Sequence, residues 1–196
     1  MQVSQAVAQR RSVRAFLDKP VSDELLRQLL EKAGRAPSGG NLQPWRVFVI
    51  NGATMPTFLE FLAGRQEREK AEYAIYPKDP TSPYRDSRFK VGEDMYALLG
   101  IGRDNKPARL AHLARNFSFF DAPAGFFCFV DRQMGPPQWS DLGMFLQTFM
   151  LLAEESGLST CAQEAWANRP VSVAEFVGAD SEPVSYTHLR AHETSE

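Results

Sequence analysis

A chain of 196 residues, 43% of them hydrophobic, can bury the core of one ordinary domain and is not disordered as a whole. Its formal net charge of −2 argues against nucleic acid or an anionic membrane surface as the main partner. The two cysteines, Cys128 and Cys161, have neither a Cys-x-x-Cys nor a metal-ligand spacing, which suits a reducing cytoplasm.

Residues 1–15 contain no apolar core of a signal peptide, so none is expected. Arg10-Arg11-Ser12-Val13-Arg14 then sets three guanidinium forks around one hydroxyl, a combination suited to phosphate. Taken alone, the same five residues also read as a solvated basic turn. Ser22 is a good N-cap, with Asp23 and Glu24 in the first turn after it. Leu25, Leu26, Leu29, Leu30 and Ala33 fall on one helical face, and Gly34 and Pro37 end the helix.

Pro37-Ser38-Gly39-Gly40-Asn41-Leu42-Gln43-Pro44-Trp45 follows. Glycine allows close approach of main-chain N–H groups to a ligand. Ser38, Asn41 and Gln43 supply donors and acceptors able to read a planar polar heterocycle. A phosphate clamp and a heterocycle-reading loop are two ends of one nucleotide-like ligand.

Arg46 to Ile50 reads as a buried strand, and a helix is predicted from about Met55 to Ala74. Tyr76 to Arg88, rich in proline, tyrosine and charge, is predicted as a long irregular segment. Val91–Ile101 and Lys106–Phe117 look helical, and Ala124–Val130 reads as a Phe-rich strand containing a buried Cys128. Trp139 to Gly157 is predicted as a helix that is apolar on nearly all faces, which points to a central position or a dimer interface. Its apolar run, Leu142 to Ala153, is too short to span a bilayer. Leu158–Ala165 is expected as a third strand and Val171–Val177 as a short helix. Alternating helices and strands place the chain in a mixed α/β (α+β) class.

The usual dinucleotide and nucleoside-triphosphate fingerprints are missing. Gly100-Ile101-Gly102 lacks a third glycine and follows no strand, and no Gly-Lys-Ser/Thr occurs. His112, on a predicted helix, is expected to be structural, and Asp141 to be a cap or a partner in a polar contact. The Asn116-Phe117-Ser118 sequon is expected to be idle. His188 and His192 have i, i+4 spacing but no third ligand, so no metal is expected.

The Arg-Arg-Ser-x-Arg-x-Phe segment, the Pro-Ser…Gln-Pro-Trp loop, the Phe-rich strand, the apolar helix and Gly157–Trp166 occur in the order seen in the nitroreductase family, which the chain resembles. The resemblance covers about Ala8 to Pro183. It implies a nitroreductase-like fold, a central and mostly antiparallel sheet flanked by helices, normally in an intertwined homodimer. It also implies an FMN-dependent oxidoreductase using NAD(P)H, with a nitroaromatic or quinone-like acceptor and ping-pong turnover. In that frame Arg10, Arg11, Ser12 and Arg14 hold the phosphate and ribityl chain. Pro37, Ser38, Gly39, Asn41 and Gln43 line a flavin held largely by the partner subunit. Gln163 and Glu164 sit beside the flavin ring, with a main-chain N–H near its reactive nitrogen. The flavin carries the chemistry, so no catalytic side chain is expected.

Two positions depart from the family pattern. Gly39 replaces a common serine, removing a hydroxyl contact. Ala162 replaces a common proline, loosening the backbone that presents the N–H. Residues 185–196 also look unlike the family and resemble translated linker sequence. The expectation is a domain over 1–184, a non-native tail over 185–196 and a sheet edge left unpaired. The alternative readings are a non-catalytic flavin-binding module, an inactive truncated fragment, or a dimeric interaction protein.

Overall fold

The computed structural model describes residues 1–65, 67–179, 184–189 and 191–193, the last two spans through their backbone. In chain order the helices and strands are α1 (Val3–Gln9), α2 (Asp23–Ala33), β1 (Arg46–Asn51), α3 (Thr54–Ala63), α4 (Tyr84–Leu98) and α5 (Lys106–Ala114). They continue with β2 (Ala124–Asp131), α6 (Pro136–Glu155), β3 (Leu158–Thr160), α7 (Pro170–Val177), β4 (Val184–Leu189) and β5 (Ala191–Glu193). Short 3₁₀ turns occupy Gly39–Asn41, Arg115–Asp121 and Ala165–Asn168.

Local sequence explains several boundaries directly. Ser22 caps α2 by accepting the Leu25 N–H on its Oγ at 3.2 Å. Asn105 does the same for α5, accepting the Ala108 N–H at 3.2 Å. Gly178 ends α7 in the left-handed region, at φ 72°.

Tertiary contacts override local propensity elsewhere. The predicted Met55–Ala74 helix stops at Ala63, because the residues beyond it are used to brace other elements. Glu69 accepts the Val171 N–H at 2.7 Å and the Ser172 N–H at 3.2 Å, so it caps α7. The Glu72 N–H donates to the Ala167 carbonyl at 2.8 Å. The irregular segment expected over Tyr76–Arg88 gives way to α4 at Tyr84. Pro83 occupies its N-cap position, and the Ser82 hydroxyl donates to Asp86 in the first turn at 2.6 Å.

The chain leaves helical geometry after Ala114. Phe119, Phe120 and Asp121 take φ of 57°, 49° and 63°, conformations that non-glycine residues rarely adopt. They place two consecutive rings inside the protein, Phe119 against Phe58 and Trp166, and Phe120 against His112. The third strand ends at Thr160, not Ala165, because Gln163 and Trp166 turn inward to hydrogen-bond each other.

β2 is the centre of the molecule. It pairs antiparallel with β1 on one side, Phe48 opposite Phe127, and with β4 on the other, Phe127 opposite His188. A sheet edge was expected to be left unpaired; the second edge of β2 is paired with β4, whose backbone lies largely within the stretch read as a tail. β3 pairs separately with β5.

All of Ala124–Val130 is buried, and the two faces of β2 serve different layers. Phe126, Cys128 and Val130 pack with Leu26, Leu29, Leu142, Phe145 and Phe149 of α2 and α6. Phe127 and Phe129 face the other way, toward Phe58, Trp166 and Val173. A strand buried on both faces needs an unbroken apolar run, which accounts for the phenylalanines. Burial pushes the Cys128 thiol well above its ordinary range, so it behaves as an inert apolar filler.

α6 is not enclosed on all sides. Leu142, Phe145, Leu146, Phe149 and Ala153 form its buried stripe, while Trp139 and Met144 stay 37% and 39% exposed. α4 buries no residue at all. It is tied to α5 by Arg109, which donates to both Glu93 carboxylate oxygens at 2.6 and 3.1 Å and stacks over Tyr96. This hydrogen-bonded pairing holds the Glu93 carboxyl below its ordinary range.

Candidate active site

The arginine-rich segment leaves α1 and runs beside β3. Ser12 bridges Thr160 in parallel register, and the Val13 N–H donates to the Thr160 carbonyl at 3.1 Å. Thr160 leads directly into Cys161-Ala162-Gln163-Glu164. The fold therefore brings the Arg10–Arg14 segment against Thr160, three residues before Gln163 in the chain.

Arg10 is half-buried, while Arg11, Ser12 and Arg14 are exposed. Among the described residues none of these three arginines has a carboxylate partner, although most other arginines here do. Arg14 instead lies at 3.5 Å from the Ser12 carbonyl, a weak contact. Three uncompensated cations beside a free hydroxyl are what a dianionic phosphate needs.

Two buried polar atoms near this segment lack a hydrogen-bond partner, the Thr160 Oγ1 and the His112 Nε2. Buried polar atoms are nearly always paired, so these mark a place shaped for something more than packing. Burial, with the Arg115 and Arg14 guanidiniums adding to it, holds the His112 imidazole below its ordinary range and hence neutral near pH 7.

The Pro37–Gln43 loop sits elsewhere in the same protomer, anchored on α6. The Gly39 N–H donates to Asp141 Oδ2 at 3.1 Å. The Gln43 N–H donates to Ser38 Oγ at 3.0 Å, and Trp45 stacks on Phe145 at 4.9 Å between ring centroids. Asp141 is buried, and its polar contact is the one the sequence suggested. Gly40, Asn41 and Gln43 all take positive φ, at 60°, 56° and 48°. Strain of this kind at non-glycine residues concentrates in ligand loops. Pro37, Asn41 and Gln43 remain exposed. No hydrogen bond or ion pair among the described residues joins this loop to the Arg10–Arg14 segment.

A Cβ built on Gly39 would meet only Asp141 Oδ2, at 3.9 Å, an ordinary contact. Gly39→Ser should therefore be accepted, with a stability change within about 0.5 kcal/mol. Thermal unfolding of that variant checks this, and a large loss would mean that the loop is tighter than its geometry indicates.

Gln163 differs from the expectation in one respect. Its side chain is 4% exposed and fully engaged, donating to Asn116 Oδ1 at 2.6 Å and accepting from Trp166 Nε1 at 3.2 Å. Any contact of Gln163 with a ligand must run through its main chain. Glu164 is exposed, and its carboxylate accepts the Tyr73 hydroxyl. Asn116 had no sequence signal beyond an idle sequon, and Tyr73 lay within a predicted helix.

Three concavities lie away from these residues. One of about 550 Å³ is formed by Tyr76, Asp79, Tyr84 and Arg88. Another of about 440 Å³ lies between Asn51, Met55 and Asp121, and a third of about 440 Å³ between Arg68 and Ser172. Among the described residues there is no cluster of His, Cys, Asp and Glu placed to hold a metal ion, and no helix long and apolar enough to cross a membrane.

A nitroreductase family model matches residues 7–189, and the chain belongs to that family. It is 36% identical over 175 residues to 4-nitrobenzoate reductase of Pseudomonas putida, covering 89% of this chain and 77% of that protein. It is 34% identical over 187 residues to nitrobenzene nitroreductase of Ectopseudomonas oleovorans, covering 93% and 82%. Among solved structures, the FMN and NADPH-dependent nitroreductase NfnB from Sphigopyxis sp. strain HMH superposes with a TM-score of 0.93 at 43% identity, over 100% of this chain and 89% of that one. The FMN-dependent nitroreductase NfnB from Mycobacterium smegmatis, in complex with NADPH, gives 0.89 at 27% identity, over 99% and 90%.

Proposed function

We propose that the chain is an FMN-dependent oxidoreductase that passes electrons from NAD(P)H to a nitroaromatic or quinone-like small molecule. The observation that carries this reading is the Arg10/Arg11/Arg14 cluster, without carboxylate partners among the described residues, on a segment paired with Thr160 of β3, in a chain whose relatives are nitroreductases. Bound FMN would supply the two-electron transfer in both halves of a ping-pong cycle. Arg10, Arg11, Ser12 and Arg14 would hold its phosphate and ribityl chain. The main chain at Gln163 and Glu164 would face its ring. The described residues fit such a group: the cations lack acids, and the Thr160 hydroxyl lacks a partner.

The Pro37–Gln43 loop supports a homodimer. Among the described residues no hydrogen bond or ion pair joins this loop to the arginine cluster of the same protomer, and in a homodimer a second copy would bring Ser38, Gly39 and Asn41 over the same ligand. Exposed Val3 and Val7 on α1, with Trp139 and Met144 on α6, provide apolar surface for that copy. Sedimentation is expected to give a dimer, and a flavin-loaded monomer would exclude this assembly. Two free, buried cysteines suit a cytoplasmic setting. The activity test is NADPH oxidation with and without 4-nitrobenzoate. Acceptor-dependent oxidation is expected, and FMN binding without it would favour the non-catalytic flavin-binding alternative.

A further inference from the structure

The segment after β3, Cys161-Ala162-Gln163-Glu164, carries no proline to stiffen it. The structure shows how its backbone is nevertheless held. Gln163 is pinned from the inside by Asn116 and Trp166. Glu164 is pinned from the outside by the Tyr73 hydroxyl. Tyr73 is itself held edge-on to Trp139, with centroids 5.5 Å apart. The residue before it, Glu72, donates its N–H to the Ala167 carbonyl at 2.8 Å, and its carboxylate pairs with Arg132 at 3.0 Å. Residues 72–73 thus form a strap across 164–167.

Two side chains clamped on opposite sides fix the peptide units between them. Each clamp restricts its own residue, in the segment where a proline at 162 would fix its own φ. We infer that Tyr73 is a positioning residue, which fixes the main chain at Ala162–Ala165 for the cofactor by holding the Glu164 carboxylate. This rests on the flavin reading above. Tyr73 does not touch the reacting atoms in this role. It acts through Glu164.

The test uses the full chain loaded with FMN, read by quenching of flavin fluorescence and by the absorbance spectrum of the bound flavin. Tyr73→Phe keeps the ring on Trp139 and loses only the hydroxyl. It and Glu164→Ala should each weaken FMN binding about fivefold and shift the bound spectrum, and the double variant should be no weaker than either, as for two groups acting as one unit. Adding Ala162→Pro to Tyr73→Phe should restore part of the affinity, because the ring fixes φ at 162 and so stiffens the same segment. A purely structural loss would lower the loaded fraction without moving the spectrum of the flavin that remains bound. Tyr73→Phe with wild-type affinity and spectrum, or single losses that multiply in the double variant, would overturn the inference. A wild-type chain that binds no FMN would instead overturn the flavin reading itself.

Discussion

Replacing Arg10 and Arg14 together by alanine is expected to weaken FMN binding tenfold or more. Charge-assisted hydrogen bonds are each worth about 1.5–3 kcal/mol, and each tenfold in affinity is about 1.4 kcal/mol. Arg14 is exposed and its contribution is screened by solvent, so the lower part of that range applies to it. The structure adds a reason for specificity. Neither arginine has an acid to return to among the described residues, so ligand phosphate competes with water and, for Arg14, with the weak contact to the Ser12 carbonyl. Riboflavin, which lacks the phosphate, should be affected much less than FMN. Titrating both flavins into wild type and the double variant separates the terms. Unchanged FMN affinity would remove the arginine cluster from the site.

Phe58→Ala should be among the most damaging single changes. Phe58 is 0% exposed and its ring meets those of Phe119, Phe127, Trp166 and Phe176 at centroid distances of 4.9–5.7 Å. Removing it leaves a void that four rings from four different elements cannot collapse into. Truncating a buried phenylalanine costs about 3–5 kcal/mol. In a chain of this size that lowers Tm by about 10 °C. Phe58→Leu should cost less, since it leaves the smaller void. Equal losses for the two variants would show that ring packing is not what Phe58 contributes.

Phe58 also shows where sequence reasoning succeeds. It lies on a helix whose start was readable from the sequence, though it ends at Ala63 and not at the expected Ala74. So were the Ser22 cap, the α2 stripe and α7, and β1 as a strand, although only Ile50 of the run expected to be buried is in fact buried. The family and its fold were readable from the order of motifs that are weak one by one.

What escaped depends on partners far away in sequence. Glu69 and Glu72 sit in a run that favours helix, yet their bonds to Val171, Ser172 and Ala167 end that helix early. Phe119 and Phe120 accept left-handed conformations because two rings must enter the protein side by side. A sheet edge was expected to be unpaired, and the pairing of β4 with β2 was not read from residues taken for a tail. Within the site, Arg10–Arg14 and Gln163–Glu164 were both nominated, but the pairing of the arginine segment with Thr160, just before Gln163, emerges only from the fold. Asp141 was nominated for a polar contact without a partner, and the partner is the Gly39 N–H. Tyr73 had no local signal at all, since a tyrosine in a charged stretch carries no mark of the carboxylate it will meet.

The most direct test of the flavin assignment is the absorbance spectrum of the purified protein, reconstituted with FMN and freed of excess, before and after NADPH is added without air. The flavin reading requires a bound FMN spectrum that bleaches on addition of NADPH and returns when a nitroaromatic acceptor is supplied. A colourless protein that retains no FMN, with NADPH left unoxidised, would contradict it.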